Sequence, residues 1–181
     1  MLTVLLDNGH GVNTPGKCSP LKNDGTKFRE YKYTREIASQ LEEELKKRGY
    51  EVFKVTPEQV DIPLNERVKR INNVVKQKGA GNCVMISIHN DAAGNGISWM
   101  NARGWSAYTT RGQNNSDKFA ECLYNAAEET LLNDSEVLES YKGELHKLFR
   151  KNTTDGDKDI EADFYIIKGA NCPAVLTENF F

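Results

Sequence analysis

Three uninterrupted apolar runs constrain this chain most, because each has the length and composition of a strand buried on both faces of a sheet. They occupy residues 2–6, 83–88 and 174–177 and read LTVLL, CVMISI and AVLT. The segments between them repeat apolar residues every three or four positions, which is the spacing of an amphipathic helix. This alternation predicts an α/β domain with a largely parallel central sheet.

Further strands at 50–55, 104–110 and 164–167 bring the predicted sheet to about six strands, mostly parallel and flanked by helices. The first helix is predicted from residue 30 onward, with apolar residues every four positions from Tyr33 to Leu45. We therefore expect a single domain with one mixed sheet and helices on its faces.

Two more helices follow the same spacing. In the second, Asp61 is predicted to cap the N-terminus ahead of Pro63, and the apolar stripe from Leu64 to Val75 is predicted to be buried. In the third, Ser116 is the predicted cap, and the apolar positions from residue 119 to residue 131 face inward.

Residues 133–162 differ from the rest of the chain, because they are strongly charged and less periodic. One helix is expected around residues 139–149, followed by a flexible stretch that reads KNTTDGDKD. We predict that this segment is an inserted loop or lid within a single domain spanning residues 1–181.

The charge balance excludes some classes of partner. The 24 Lys and Arg residues nearly cancel the 26 Asp and Glu residues, giving a net charge of −2. The chain has no excess of basic residues that would indicate nucleic-acid binding. No apolar run reaches the roughly 20 residues of a membrane span. The first residues lack the cationic region and cleavage site of a signal peptide, so synthesis in the cytoplasm without a leader is expected. Nothing in the sequence defines the oligomeric state.

Two of the three histidines follow buried strands. His10 lies shortly after the first apolar run, and His89 directly follows the run at residues 83–88. Since ligands of open α/β sheets bind outside the carboxyl ends of the strands, both imidazoles are expected at one edge of the sheet. A single histidine at a strand end is more often a structural, hydrogen-bonded residue, so the interpretation depends on the two occurring together.

Two acidic residues are expected at the same edge. Glu30 begins the first helix on the side that faces the sheet, and Glu178 directly follows the last apolar run. Two imidazoles and one carboxylate form a common catalytic zinc shell, and a further carboxylate can then move the proton of the attacking water. We predict one Zn²⁺ held by His10, Glu30 and His89, with Glu178 as the catalytic acid–base residue. Asp7 or Asn8 is expected to accept a histidine N–H.

Five segments together resemble the zinc-dependent N-acetylmuramoyl-L-alanine amidases of the type-3 group, which includes phage endolysin catalytic domains. The segments read LDNGHG, EYKYTREIASQLEEELKKRGYEV, DIPLNERVKRIN, SIHND and PAVLTENFF, and they occur in the family's order. The resemblance implies that His10, Glu30 and His89 are zinc ligands and that Glu178 is catalytic. It also implies that Leu64, Arg67 and Asn72 belong to the motif of the family's second helix.

The resemblance implies a substrate, the amide between N-acetylmuramic acid and L-alanine in bacterial peptidoglycan. It also implies action on the cell wall, for which phage- or prophage-type release is one route. The chain ends where the family normally continues with a final helix, so that helix is expected to be missing. Two other functions stay open: another zinc peptidase that cleaves stem peptides, and a non-catalytic wall-binding module.

Overall fold

A computed structural model describes residues 1–180, which form six β-strands and five α-helices around one mixed sheet. In chain order the elements are β1 (Thr3–Asn8), α1 (Glu30–Lys47), β2 (Glu51–Lys54), α2 (Leu64–Lys78), β3 (Cys83–His89), β4 (Trp105–Thr109), α3 (Asn115–Leu131), α4 (Ser135–Ser140), β5 (Ile160–Glu161), α5 (Tyr165–Lys168) and β6 (Ala174–Asn179). The single α/β domain with a six-stranded, mostly parallel sheet is confirmed.

The strand order is β2-β1-β3-β6-β4-β5. The four strands β2, β1, β3 and β6 run parallel, whereas β4 is antiparallel to β6 and parallel to β5. The three apolar runs thus become the three central strands β1, β3 and β6. Their carboxyl ends all open onto one edge of the sheet, which we call the carboxyl edge.

Helices cover both faces of the sheet. On one face, Leu5, Met85 and Leu176 pack with residues of α2 and α5. On the other, Leu6 and Ile88 pack against α1, and Val175 packs against α3. Because the side chains of a strand alternate between faces, β1, β3 and β6 contribute to both layers, and this explains their continuous apolar composition.

The helix starts differ from the sequence prediction. At α2 the capping position is Pro63, and no side chain caps the helix. Asp61 instead binds Arg67 and Thr14 through its carboxylate. At α3 the cap is Asn114 rather than Ser116, because Asn114 and Asp117 form a reciprocal capping box.

Burial also corrects the predicted stripe of α2. Ile71 and Val75 are buried and Val68 packs against the same core, whereas Leu64 is 49% exposed. Leu64 is the first residue of the helix, one turn before Val68, the first of these residues that packs against the core.

The end of the chain contains two further corrections. The sequence predicts a strand at residues 164–167, but Tyr165–Lys168 form the helix α5, whose Ile166 and Ile167 are buried in the core. The sixth strand is instead the two-residue β5. The helix predicted around 139–149 is also wrong, because α4 ends at Ser140 and is followed by a 3-10 turn at Leu145–Lys147.

Candidate metal centre

Three side chains from three elements meet at the carboxyl edge. His10 follows β1, His89 ends β3, and Glu30 is the first residue of α1. Glu30 Oε1 lies 3.1 Å from His89 Nδ1 and 3.3 Å from His10 Nε2. The two imidazole rings stand edge to face, with their centroids 4.9 Å apart. The structure therefore brings together the three residues that the sequence predicts as ligands.

The loop after β1 has a local geometry that brings its histidine toward β3. His10 adopts a positive φ of 61°, which is uncommon outside glycine. A Cβ on Gly9 would lie 2.4–2.8 Å from three atoms of the His89 imidazole. Glycine is therefore required at position 9, since any side chain there would displace the second histidine.

Glu30 is a buried carboxylate held in its ionised form. It is 5% exposed, and its Oε1 also accepts a hydrogen bond of 3.0 Å from the backbone N–H of Asn90. Burial by itself raises the pKa of Glu30, but contacts with His10 and His89 and the Asn90 N–H outweigh it and hold the pKa well below its usual range. A negative charge is thus fixed between the two imidazoles.

The donor set fits a zinc ion. Each of the three residues offers one ligand atom, and these atoms lie within 4.8 Å of one another. His10 Nε2 is buried and has no hydrogen-bond partner within residues 1–180. A buried imidazole nitrogen that faces an ionised carboxylate oxygen at 3.3 Å, next to a second imidazole, is the arrangement that a zinc ion would complete.

Glu178 lies beside this cluster, within β6 rather than after it as the sequence suggests. It is paired in register with His89 on β3. Registered residues on neighbouring strands project from the same face, so the two side chains are adjacent. Glu178 Oε2 is buried without a hydrogen-bond partner in the described part of the chain. Burial raises the pKa of Glu178 to about 7, and the charges of Asp91 and Glu30 add to this rise.

Asp7 and Asn8 do not hold the histidines, contrary to the sequence prediction. Asp7 accepts hydrogen bonds from Arg67 at 2.9 Å and from Ser87 at 2.7 Å. Asn8 donates its side-chain amide to the Thr56 carbonyl, and its own carbonyl accepts from Arg67. The carboxylate–histidine contact is made instead by Glu30, which comes from a separate element.

Arg67 links the parts of the loop that carries His10. Its guanidinium is 3% exposed and donates to Asp7 and to Asp61, and the Asp61 carboxylate accepts a 2.5 Å hydrogen bond from Thr14. Arg67 therefore connects β1, the start of α2 and the loop after His10. The family signature marks this arginine, but the sequence does not reveal its role.

A groove of about 500 Å³ opens beside Glu30. Its walls are the loop around residues 16–22 and the loop around residues 90–102. Phe28, Trp99 and Met100 give it apolar surface, and Trp99 is 60% exposed. A groove of this size is typical of a binding site for a small or extended ligand.

The fold and the cluster define a class: an α/β protein with a candidate zinc-hydrolase ligand set at the carboxyl edge of its sheet. The sequence matches the family model described as N-acetylmuramoyl-L-alanine amidase (Amidase_3) over residues 4–181. The chain therefore belongs to the Amidase_3 family.

Individual relatives agree with this assignment. The chain is 28% identical over 199 residues to N-acetylmuramoyl-L-alanine amidase AmiC of Neisseria meningitidis serogroup B, a match that covers 98% of this chain and 45% of AmiC. The chain thus spans less than half of that relative.

Two solved structures share the fold. Cwp6 from Clostridium difficile has a TM-score of 0.70 at 22% identity, covering 99% of this chain and 24% of Cwp6. N-acetylmuramoyl-L-alanine amidase AmiC2 of Nostoc punctiforme has a TM-score of 0.67 at 18% identity, covering 99% of this chain and 79% of AmiC2.

Proposed function

We propose that this chain is a zinc-dependent N-acetylmuramoyl-L-alanine amidase that hydrolyses the amide between N-acetylmuramic acid and L-alanine in bacterial peptidoglycan. The observation that carries the proposal is the convergence of His10, Glu30 and His89 at the carboxyl edge, with Glu178 alongside, in a chain of this family. Zinc, when bound, supplies a Lewis acid that polarises the scissile carbonyl and acidifies a water molecule.

Glu178 supplies the proton transfer in this proposal. Its carboxylate accepts the proton of the attacking water and then donates it to the nitrogen of the leaving L-alanine. A pKa near 7 suits both steps, because the group changes its protonation state easily near neutral pH. Glu30 is not given this role, because it is a proposed zinc ligand and its Oε1 already contacts His89 and accepts from the Asn90 N–H.

The groove beside Glu30 is the proposed site of the stem peptide. The exposed ring of Trp99 and the side chain of Met100 offer apolar contact surface, while the backbone of the loops offers polar groups. This mixture of polar and apolar surface is suited to a ligand that consists of a peptide joined to a sugar. In this proposal the amide bond would lie where Glu30 lines the groove, next to the cluster of ligands.

We also propose that residues 133–162 form an inserted loop, anchored at two points beside the site, within a catalytic domain spanning residues 1–181. Arg150 forms an ion pair with Asp91, two residues after His89. The ring of Tyr141 lies 6.4 Å from that of Phe180, beside the end of β6. These contacts tie the segment to the two strand ends that carry His89 and Glu178.

Digestion of purified peptidoglycan tests the reaction directly. We expect new L-alanine amino groups and intact N-acetylmuramic acid in the products, measured by amino-group labelling and mass spectrometry. Cleavage between two amino acids of the stem would identify the chain as a peptidase instead. Binding to peptidoglycan without any new amino group, in zinc-loaded protein, would identify a wall-binding module.

No helix among residues 1–180 combines the length and the apolar character needed to cross a membrane. The proposed place of action is the bacterial cell wall, where the substrate occurs. Release by a phage or prophage lysis system, as for an endolysin, is the route that we propose.

A further inference from the structure

A second cluster of acidic groups lies away from the metal centre. Asp117 on α3 and Asp157 and Asp159 on the loop before β5 each offer a carboxylate oxygen, and these oxygens lie within 4.8 Å of one another. We call these three residues the aspartate cluster. It borders an open hollow of about 840 Å³, which is also lined by oxygen-bearing side chains, namely those of Gln113, Asn114, Asn115, Glu121 and Thr153.

Two oxygens of this cluster are buried without a partner. Asp159 is 1% exposed, and its Oδ1 has no hydrogen-bond partner within residues 1–180. Asp157 Oδ1 is also buried and has no hydrogen-bond partner within these residues. The opposite oxygens are engaged, since Asp159 Oδ2 accepts from Thr109 at 2.5 Å and Asp157 Oδ2 accepts from Gln113 at 2.7 Å. The arrangement thus orients both carboxylates, brings them close to each other and leaves one buried oxygen of each without a hydrogen-bond donor.

No basic side chain within residues 1–180 neutralises these carboxylates, since none of the three forms an ion pair with a lysine, arginine or histidine there. Lys158 borders the hollow, but its Nζ binds Glu121 at 3.1 Å and Glu128 at 3.0 Å. Lys118, the other lysine that lines the hollow, is exposed. Burial and repulsion from Asp157 and Asp117 raise the pKa of Asp159 to about 6, as expected for carboxylates that crowd together without a counterion.

We propose that the aspartate cluster binds a Ca²⁺ ion through Asp117, Asp157 and Asp159. The donors are all oxygens, which hard divalent cations prefer, and no imidazole or thiol is present among the three to favour zinc. Two of the carboxylates come from an irregular loop, and Ca²⁺ accepts the variable geometry of such loops more readily than Mg²⁺. Amide oxygens of the hollow and water can complete its coordination.

The site has a structural role rather than a catalytic one. β4 begins beside β6 at the carboxyl edge, where Trp105 pairs with Asn179, and runs antiparallel to it. Thr109, which binds Asp159, therefore lies at the opposite edge of the sheet from the zinc ligands. A Ca²⁺ ion there would join the N-terminus of α3 to the end of the segment 133–162.

Thermal unfolding of the full, zinc-loaded chain in CaCl₂ tests the site. We expect Ca²⁺ at about 100 times its Kd to raise the Tm of the wild type by roughly 5–10 °C. Asp157→Asn and Asp159→Asn should lose this rise, because each removes a charged ligand. Asp155→Asn is the matched control, since this exposed aspartate belongs to the same loop but not to the cluster, and it should keep the full rise.

Two results would overturn the proposal. One is a wild-type Tm that does not respond to Ca²⁺ up to about 10 mM, well above the Kd of weak extracellular sites. The other is an equal response in the wild type and in Asp157→Asn. Asp157 is only partly buried, so this variant keeps the test decisive even if Asp159→Asn fails to fold. Peptidoglycan hydrolysis by Asp157→Asn at low temperature should equal that of the wild type, as the opposite-edge position requires.

Discussion

Replacing Glu178 with glutamine should lower kcat about 10²–10⁴-fold, the usual contribution of a general acid–base residue. Glutamine preserves the shape of the side chain but cannot accept and return a proton. The zinc content should not change, because Glu178 lies beside the cluster and Glu30 supplies its carboxylate. Turnover on peptidoglycan and zinc per chain would both be measured on the same preparations.

The pH profile gives an independent check on Glu178. A general base acts in its ionised form, so activity of the wild type should fall as the pH drops through the pKa of this carboxyl. Burial raises that pKa to about 7, and a cation bound nearby favours the ionised form, so the midpoint should lie at or below about 7.

Glu36→Gln, on the exposed face of α1, serves as the control for Glu178→Gln and should retain full turnover. Comparable loss in both variants, or an unchanged kcat in Glu178→Gln, would contradict the assignment.

Replacing Arg67 with methionine should destabilise the fold by about 3–5 kcal/mol, the usual cost of removing one partner from a buried ion pair. The thioether side chain would leave the Asp7 carboxylate, which is 1% exposed, without its main counterion. It would also release Asp61 and the Asn8 carbonyl. Urea denaturation of the zinc-free and zinc-loaded protein would measure the loss of stability. The affinity for zinc should also fall, because the loop that carries His10 loses its link to Arg67.

Arg48→Met is the matched control for that experiment. Arg48 is an exposed arginine at the end of α1 and forms no ion pair within 4 Å in the described residues. Its replacement should change the free energy of unfolding by less than about 0.5 kcal/mol, as for most surface substitutions. A loss below about 1 kcal/mol for Arg67→Met would show that the guanidinium network contributes little to the fold.

The central part of the fold could be predicted from the sequence because it depends on local pattern. Solid apolar runs identify β1, β3 and β6, and a four-residue period identifies α1. Prediction failed where the local pattern is short. Tyr165–Lys168 is rich in aromatic and β-branched residues, which favours a strand, yet packing of Ile166 and Ile167 against the core makes it a helix.

The candidate site divides in the same way. His10 and His89 could be placed together because they follow parallel strands, and this rule needs no contact information. Arg67 could not be connected to Asp7 by any local signal, since 60 residues separate the two. The aspartate cluster could not be predicted from the sequence for a related reason. Asp117 belongs to a helix cap, and the other two aspartates lie in a stretch whose composition indicates a flexible loop.

The zinc content of the Glu30→Ala variant tests the central claim most directly. Inductively coupled plasma mass spectrometry should find one zinc per chain in the wild type and in the exposed-site control Glu36→Ala, but none in Glu30→Ala. Circular dichroism would confirm that all three proteins are folded, and release of L-alanine amino groups from peptidoglycan should disappear along with the zinc. A folded Glu30→Ala protein that retains a full equivalent of zinc and wild-type hydrolysis would contradict the proposed metal centre.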